Sequence, residues 1–477
     1  MLQNILDSIN NILWSNALVI LLLCSGIYYT IRIKFVQFTK IPLMFKFMFE
    51  KNDSGTGRTP FQAFALTLST RVGTGNIAGV ATAIAAGGPG AIFWMWLSAI
   101  FGAGTTIVET TLGQIYKETE GSEFRGGPQY FIDRGLGKRG LAILFAICSA
   151  VALGFCTPGV QANAIADSMN IAFGLPKMGV AIAIAILVAI TIFGGVKRIS
   201  QVTEYMGPFM AGAYLLLCLV IILVNISQVP ALFALIFRSA FGKEAAFGAI
   251  IGKTVQWGIK RGIYSNEAGM GTASQASSTP YVSHPAKQGL VQSLSVYIDT
   301  LFVCTATALV ILITNMYNVE GIKETLPGVQ AGPGYVQYAL DTLFKGYGSI
   351  FLALAMFFFA YSTILGNYYA AETGIAYVSK KLHAKNQKVI LTLLRCATLV
   401  AILVFAPKES KLAWAIGDLG MGVLSWLNLT AILLLSGTAI RTINDFFKKY
   451  KEGEDAVFSP EELGIKNTEE NVWSKQA

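Results

Sequence analysis

The sequence predicts an all-α membrane protein with eleven transmembrane helices: one leading helix, then a five-plus-five inverted repeat with two broken helices. Three observations predict it. The 477 residues are 54% hydrophobic and only 13% charged, against about 25% charged in soluble domains, and the mean hydropathy is +0.56. Apolar stretches long enough to cross a bilayer recur along the whole chain. Two of them are interrupted by closely spaced glycines, and the interruptions match. Val72-Gly73-Thr74-Gly75-Asn76 and Ala268-Gly269-Met270-Gly271-Thr272 both read small or apolar, glycine, any residue, glycine, amide or hydroxyl.

Taken in order, residues 1–33 combine a surface helix with the leading span at 17–33. Leu2, Ile5, Leu6, Ile9, Ile12 and Leu13 follow helical spacing, which predicts a short helix lying on the membrane surface. The start lacks a basic n-region and carries Asp7, so it does not read as a secretory signal. Leu21-Leu22-Leu23-Cys24 resembles a lipoprotein box, but Leu23 is a poor cleavage residue. Residues 34–59 form a loop, expected to be cytoplasmic. Residues 60–228, the first repeat, hold spans at 61–86, 91–116, 140–168, 178–196 and 207–225. Residues 229–440, the second, hold spans at 247–276, 290–316, 347–378, 389–406 and 412–440. The least apolar of these, 247–276, reads as two halves of one broken span. Residues 441–477 form a tail, expected to be cytoplasmic, of which 450–477 is polar and expected to be loosely ordered.

Charge sets the expected orientation. Lys34, Lys40, Lys46, Lys51 and Arg58 lie in the first loop, and Lys117, Arg125, Arg134, Lys138 and Arg139 follow the third span. Lys380, Lys381, Lys385 and Lys388 follow the ninth span, and Arg441, Lys448, Lys449 and Lys451 the last. With eleven spans these loops share one side, which the positive-inside rule makes the cytoplasm. The N-terminus is then outside and the C-terminus inside a cell membrane. Span two starts inside and span seven outside, so the two five-span units are inverted. The net charge of +9 is accounted for by those loops, and no nucleic-acid partner is implied. The six cysteines, Cys24, Cys148, Cys156, Cys218, Cys304 and Cys396, lie in or beside apolar segments without metal spacing. His284 and His383 are loop residues with no assigned role.

A helix broken at membrane depth persists only where protein or a watery cavity satisfies the freed backbone. Each break is therefore part of a binding site or a close helix–helix contact, and a pair in two halves of a chain is the pattern of a transporter's substrate site. The run Gly73 to Gly79 mimics a dinucleotide fingerprint, but that motif needs a preceding strand, and here both flanks are apolar spans. No converging nucleophile and base, no phosphate-binding loop and no ring of charge is present. That argues against an enzyme, an ATP-driven pump and a channel. The ionisable residues at depth, Arg71, Glu109, Glu267, Asp299, Arg395 and Asp418, each need a partner or a wet path. Arg395 sits near a span end and is expected to snorkel.

The stretches Ser69–Val80, Gly87–Trp96, Arg261–Gly271, Ile298–Thr307 and Ala413–Asp418 resemble the alanine/glycine:cation symporter family of prokaryotes. The resemblance covers nearly the whole chain. It implies the leucine-transporter-like five-plus-five fold with an additional first helix, and transport of alanine, glycine or similar small neutral amino acids with Na⁺. One departure follows Ser362-Thr363-Ile364-Leu365-Gly366. Relatives often continue with Trp and a Tyr-Gly-Glu, whereas Asn367-Tyr368-Tyr369-Ala370-Ala371-Glu372 stands here, and an aromatic lost near a pocket changes its size.

The expected chemistry follows from a free amino acid's carboxylate and ammonium. The first break, with Gly73, Thr74, Gly75, Asn76 and Gly79, would turn backbone N–H groups and a half-helix end toward the carboxylate. The second, with Asn266, Gly269 and Gly271, would offer carbonyls to the ammonium. The resemblance carries Gln161 to the substrate pocket, where Tyr264 would form a wall, and Asn367 joins this set. For the coupling ion, expected to be Na⁺, the candidate ligands are carbonyls from Arg71 to Gly75, Thr74, and the hydroxyls of Ser362 and Thr363, since a hard cation takes oxygen. Taken alone, Ser362 and Thr363 would bond back to carbonyls one turn earlier. Proton coupling through Glu267 or Asp299 is the alternative. No cofactor and no obligatory protein partner are expected.

Overall fold

The computed structural model describes residues 2–51, 57–121, 123–243, 251–383, 386–452 and 456–473. Lys385 and residues 247–250 of the seventh predicted span lie outside them. Apolar surroundings force backbone groups to pair within each segment, and the chain answers with helices. It begins with α1 (Leu2–Leu13), α2 (Asn16–Arg32), α3 (Val36–Thr39) and α4 (Ile41–Met48). The first broken segment is α5 (Pro60–Arg71), a π-type turn at Gly75–Gly79, and α6 (Val80–Gly87). Then come α7 (Ala91–Ile115), an antiparallel hairpin of β1 (Glu118–Glu120) and β2 (Glu123–Arg125), and α8 (Pro128–Leu136). Helix α9 (Arg139–Val151) passes through a second π-type turn, Ala152–Cys156, into α10 (Thr157–Phe173). Helices α11 (Lys177–Ile192), α12 (Gly195–Val224) and α13 (Val229–Ala240) follow.

The second broken segment is α14 (Ile251–Asn266) and α15 (Thr272–Ser277). Helix α16 (Pro285–Val296) runs through a third π-type turn, Tyr297–Cys304, into α17 (Thr305–Thr314). The chain ends with α18 (Pro333–Phe344), α19 (Tyr347–Lys381), α20 (Gln387–Phe405), α21 (Ser410–Leu434), α22 (Ser436–Lys451) and α23 (Glu470–Trp473). Among the described residues eight helical stretches are long and apolar enough to cross a membrane, with shorter apolar helices at Gly75–Gly87, Lys177–Ile192 and Val229–Ala240. The all-α membrane class is thereby met. The segment predicted at 61–86 falls outside the long set because its helix is broken. Helices α13 and α18 occupy stretches that the sequence predicts as connections, since 12 residues each are too few to register as spans.

The predicted basic loops meet at one end of the bundle. Lys380 and Lys381 pair with Glu118, at 2.6 and 3.9 Å, and Lys381 with Asp133 at 2.7 Å. Lys287 reaches Glu50 at 2.7 Å, and Lys46 lies 3.4 Å from the Tyr450 hydroxyl. One expectation needs correction. The tail is docked over its described residues: the Phe458 N–H donates to the Ser283 carbonyl at 3.0 Å, and Trp473 Nε1 to the Ile115 carbonyl at 3.2 Å. Its polar composition conceals four apolar anchors, Phe458, Ile465, Val472 and Trp473, all buried. Arg395 is half-buried, donates Nε to the Tyr368 hydroxyl at 3.2 Å and lays its guanidinium over Phe193.

The helix at the N-terminus forms, but it packs on protein. Leu6 and Asn10 are buried, and Asn10 Nδ2 donates to the Ala415 carbonyl at 2.7 Å. Trp14, just beyond α1, is fully buried and donates Nε1 to the Asp418 carbonyl at 2.9 Å. Ile5, Ile9 and Ile12 face outward.

Candidate functional site

The site is built where the two breaks meet. Helix α5 starts firmly: the Gln62 N–H donates to Thr59 Oγ1 at 3.2 Å, the Thr59 N–H to Gln62 Oε1 at 3.1 Å, and Pro60 stands at the first helical position. It stops at Arg71 because Val72 turns extended and Asn76 Oδ1 takes the Gly73 N–H at 2.9 Å. Helix α14 stops at Asn266, whose Oδ1 takes the Ala268 N–H at 3.1 Å. Glu267, Gly269 and Gly271 then adopt φ of +54°, +84° and +85°. Glycine enters that region without steric penalty. Glu267 is held in it by Thr272 Oγ1, which donates to its carboxylate at 2.8 Å.

The breaks touch backbone to backbone. A Cβ added to Gly75 would sit 3.0 Å from Ser265 Cα. Asp299, on the third π-type turn, joins them. Its Oδ1 accepts from Asn76 Nδ2 at 2.6 Å, and its Oδ2 accepts from Ser265 Oγ at 2.9 Å and Thr300 Oγ1 at 2.7 Å. Glu109 serves the second break in the same way, accepting from the Gly269 N–H at 3.1 Å and Asn428 Nδ2 at 3.0 Å. Such buried carboxylates need several donors to be tolerated, and these have them.

Between the breaks lies a small, nearly filled cavity of about 10 Å³. From the first break it is lined by Thr70, Arg71, Gly73 and Gly75, and from the second by Tyr264 and Glu267. Helices α10, α19 and α21 close it with Thr157, Gln161, Thr363, Asn367 and Met421. Gln161 Oε1 accepts the Thr74 N–H at 3.2 Å, which ties α10 to the first break. Arg71 donates Nη1 to the Gln292 carbonyl at 3.1 Å and to Ser295 Oγ, while its Nε and Nη2 have no partner among the described residues. Both charge signs thus face one space, Arg71 from one break and Glu267 from the other, without a direct ion pair.

Of the residues the sequence singled out, Arg71, Gly73, Gly75, Gln161, Tyr264, Glu267, Thr363 and Asn367 line this cavity. The others do not. Thr74 is fully buried beside it, reaching Gln161 through its backbone. Asn76 is turned to Asp299, and Asn266 to Thr300 and Ala268. A Cβ on Gly79 would approach Trp414 at 3.8 Å, on Gly269 Leu429 at 2.9 Å, and on Gly271 Pro128 at 2.5 Å. These three glycines serve packing and turn geometry away from the cavity. Ser362 points one turn back, donating to the Phe359 carbonyl at 2.9 Å. Thr70, Thr157 and Met421 line the cavity without having been expected there. Thr157 opens α10 just after a π-type turn, a distortion that clusters at functional sites but leaves no clear sequence mark.

A wider cleft lies on the far side of Tyr264, bounded by Trp257, Lys260, Arg261, Trp414 and Asp418. The Tyr264 and Trp414 rings, centroids 4.9 Å apart, separate it from the cavity. Asp418 pairs with Arg261 at 2.8 Å and Lys260 at 2.7 Å, and the Arg261 guanidinium lies 4.2 Å from the Trp414 ring centre.

The sodium:alanine symporter family model matches residues 1–460. The chain is 47% identical over 474 residues to YrbD of Bacillus subtilis, provisionally named a sodium/proton-dependent alanine carrier protein, covering 98% of this chain and 97% of that one. It is 45% identical to the sodium/proton-dependent alanine carrier protein of Bacillus sp. PS3, over 87% of this chain and 94% of that one. It is 41% identical to the amino-acid carrier protein AlsT of B. subtilis, over 94% and 93%. Matched along nearly its whole length, this multi-pass membrane chain belongs to the sodium:alanine symporter family.

Proposed function

We propose that the chain is a secondary symporter carrying a small neutral amino acid into the cell with Na⁺, alanine and glycine being the substrates to which the family points. The observation that carries this reading is the small cavity lined from both breaks at once. A ligand held there contacts both halves of the chain, so it can favour one arrangement of the bundle over another, which coupling requires. The zwitterion of an amino acid finds the free edge of the Arg71 guanidinium on one side and the Glu267 carboxylate on the other. In this reading eleven spans form a leading helix plus an inverted repeat, with the N-terminus outside and the basic loops in the cytoplasm.

Na⁺ fits beside Thr363. Its Oγ1 lies 2.9 Å from the Ser69 carbonyl, 2.9 Å from the Phe359 carbonyl and 3.4 Å from the Val72 carbonyl. One hydroxyl has one proton, so it can serve only one of the three. The surplus of lone pairs suits a hard cation, and the oxygens come from α5, its break and α19 together. The names of the Bacillus relatives also invoke sodium or protons with alanine. Glu267, a carboxylate at the cavity, supports proton coupling as the second reading. Thr363→Val removes the hydroxyl at nearly constant shape. The Na⁺ concentration for half-maximal uptake is expected to rise about tenfold or more, with substrate affinity recovering at high Na⁺. An unchanged Na⁺ dependence counts against this ion site.

A further inference from the structure

We propose that α3 and α4 form a docking surface for the anionic phospholipid headgroups of the leaflet at the basic end of the bundle, held through Lys34, Lys40 and Lys46. The surface lies apart from the two breaks and does not rest on the symport reading. The span α2 ends at Arg32, and the chain then turns sharply, because Lys34 and Phe35 both take left-handed φ, of +57° and +56°. Residues other than glycine rarely adopt that conformation, and here hydrogen bonds hold it. The Phe35 N–H donates to the Thr30 carbonyl at 2.9 Å, Gln37 Nε2 to Thr30 Oγ1 at 2.7 Å, and the Tyr297 hydroxyl to the Gln37 carbonyl at 3.1 Å.

Beyond the turn the segment is apolar on two faces. Val36, Met44, Phe47 and Met48 are buried. Helix α16 meets them, with Ser293 Oγ donating to Met44 Sδ at 3.3 Å and Lys287 Nζ lying 5.3 Å from the Phe47 ring centre. Phe35, Phe38, Ile41, Phe45 and Phe49 are exposed, and the last three recur at every fourth position, on one outward stripe. Such a stripe needs a cover other than water, and it follows directly on the outward Ile27 and Ile31 of the span α2. The charge decides which cover fits. Lys40 and Lys46 stand at the seam with α22, their ammonium groups 6.0 Å from the Phe447 ring centre and 5.5 Å from that of Tyr450. Among the described residues no carboxylate lies within ion-pair distance of Lys34, Lys40 or Lys46, since Glu50 is taken by Lys287 at 2.7 Å and Asp445 by Lys449 at 3.3 Å. Arg441 and Lys448 add exposed cations on α22. An apolar stripe edged by unneutralised ammonium groups is the arrangement of a helix lying on an anionic membrane surface. A second copy of this chain would cover the stripe but leave the lysines unneutralised. Each lysine so placed strengthens binding to an anionic leaflet about fivefold. Because α4 bears on α16, which runs into the turn that carries Asp299, a bound headgroup also steadies the bundle.

The test follows the thermal unfolding midpoint of the purified full-length chain in detergent, titrated with phosphatidylglycerol or with phosphatidylcholine. Half of the stabilisation is expected at about tenfold or more lower phosphatidylglycerol than phosphatidylcholine, and the gap should narrow at high salt. Lys34→Gln, Lys40→Gln and Lys46→Gln combined should remove the preference, whereas arginine at the same three positions should keep it. Should the combined glutamine variant fail to fold, Lys40→Gln and Lys46→Gln carry the test singly, each expected to lose about fivefold of the preference. An equal response of the wild type to the two lipids, or an undiminished preference in the glutamine variants, overturns the inference. So does a wild-type dimer in detergent that Phe45→Lys converts to a monomer, since the stripe then faces a second copy.

Discussion

Gly75→Val is the sharpest perturbation of the paired breaks. Even the Cβ of alanine at this position would meet Ser265 Cα at 3.0 Å and its Cβ and Oγ at 3.3 Å. The obstacle is backbone, so it cannot swing aside as a flexible side chain would. Ser265 is also held, because its hydroxyl donates to Asp299, which in turn holds Asn76. Overpacking of this kind costs about 1–3 kcal/mol per added group. Alanine at Gly75 should therefore reduce the population of this arrangement of the two breaks by about 5–150-fold, and the branched valine by more. The assay is uptake in liposomes at matched membrane expression, with thermal stability measured in parallel. Uptake should be abolished in Gly75→Val and strongly reduced in Gly75→Ala, with assembly intact. Wild-type uptake by Gly75→Val would refute the claim that the two breaks must approach each other here.

Two further outcomes follow from particular contacts. Gln161→Ala strands the buried Thr74 N–H, now paired with Gln161 Oε1 at 3.2 Å, at about 1–3 kcal/mol. Substrate KM should rise while expression holds, and an unchanged KM would make Gln161 a purely structural tie. His284, at the basic end, has a pKa lowered from 6.5 by burial, against the opposing pull of Asp445 at 3.4 Å; Lys449 and Lys287 lower it further. The folded chain prefers the neutral ring, whose Nδ1 accepts the Ala286 N–H at 3.2 Å. This contribution is fully present above about pH 6.5 and is lost as pH falls through the lowered value. The ring lies between Phe446 and Phe458, so proteolysis of the tail beyond Lys451 should quicken between pH 7.5 and 5, and less so in His284→Gln.

The breaks are legible in the sequence because closely spaced glycines raise the cost of a continuous helix, and an apolar run has little else to gain from them. Which members of each motif face the cavity is not legible. Gly73 and Gly75 reach it, whereas Gly79, Gly269 and Gly271 are spent on packing, since the turn geometry that decides this is invisible in the order of residues. The joint between Asn76 and Asp299 spans 223 positions and depends on two π-type turns meeting. Asp299 and Glu267 read alike as buried acids. Only their neighbours separate them: Asp299 accepts from three side-chain donors shared over both oxygens, whereas Glu267, at the cavity wall, accepts from Thr70 and Thr272 on Oε2. The tail reads as loose because composition averages away four well-placed anchors. His284 stays silent in the sequence because a single loop histidine carries no pattern.

Coupled transport through the paired breaks is tested most directly by uptake into liposomes at fixed pH. Labelled substrate is supplied with Na⁺ outside, or with Na⁺ replaced by choline, each with and without an imposed proton gradient. Accumulation is predicted whenever the Na⁺ gradient is present and none in choline, whatever the proton gradient. Full accumulation in choline driven by the proton gradient alone would contradict the Na⁺ site at Thr363 and shift the coupling role to Glu267.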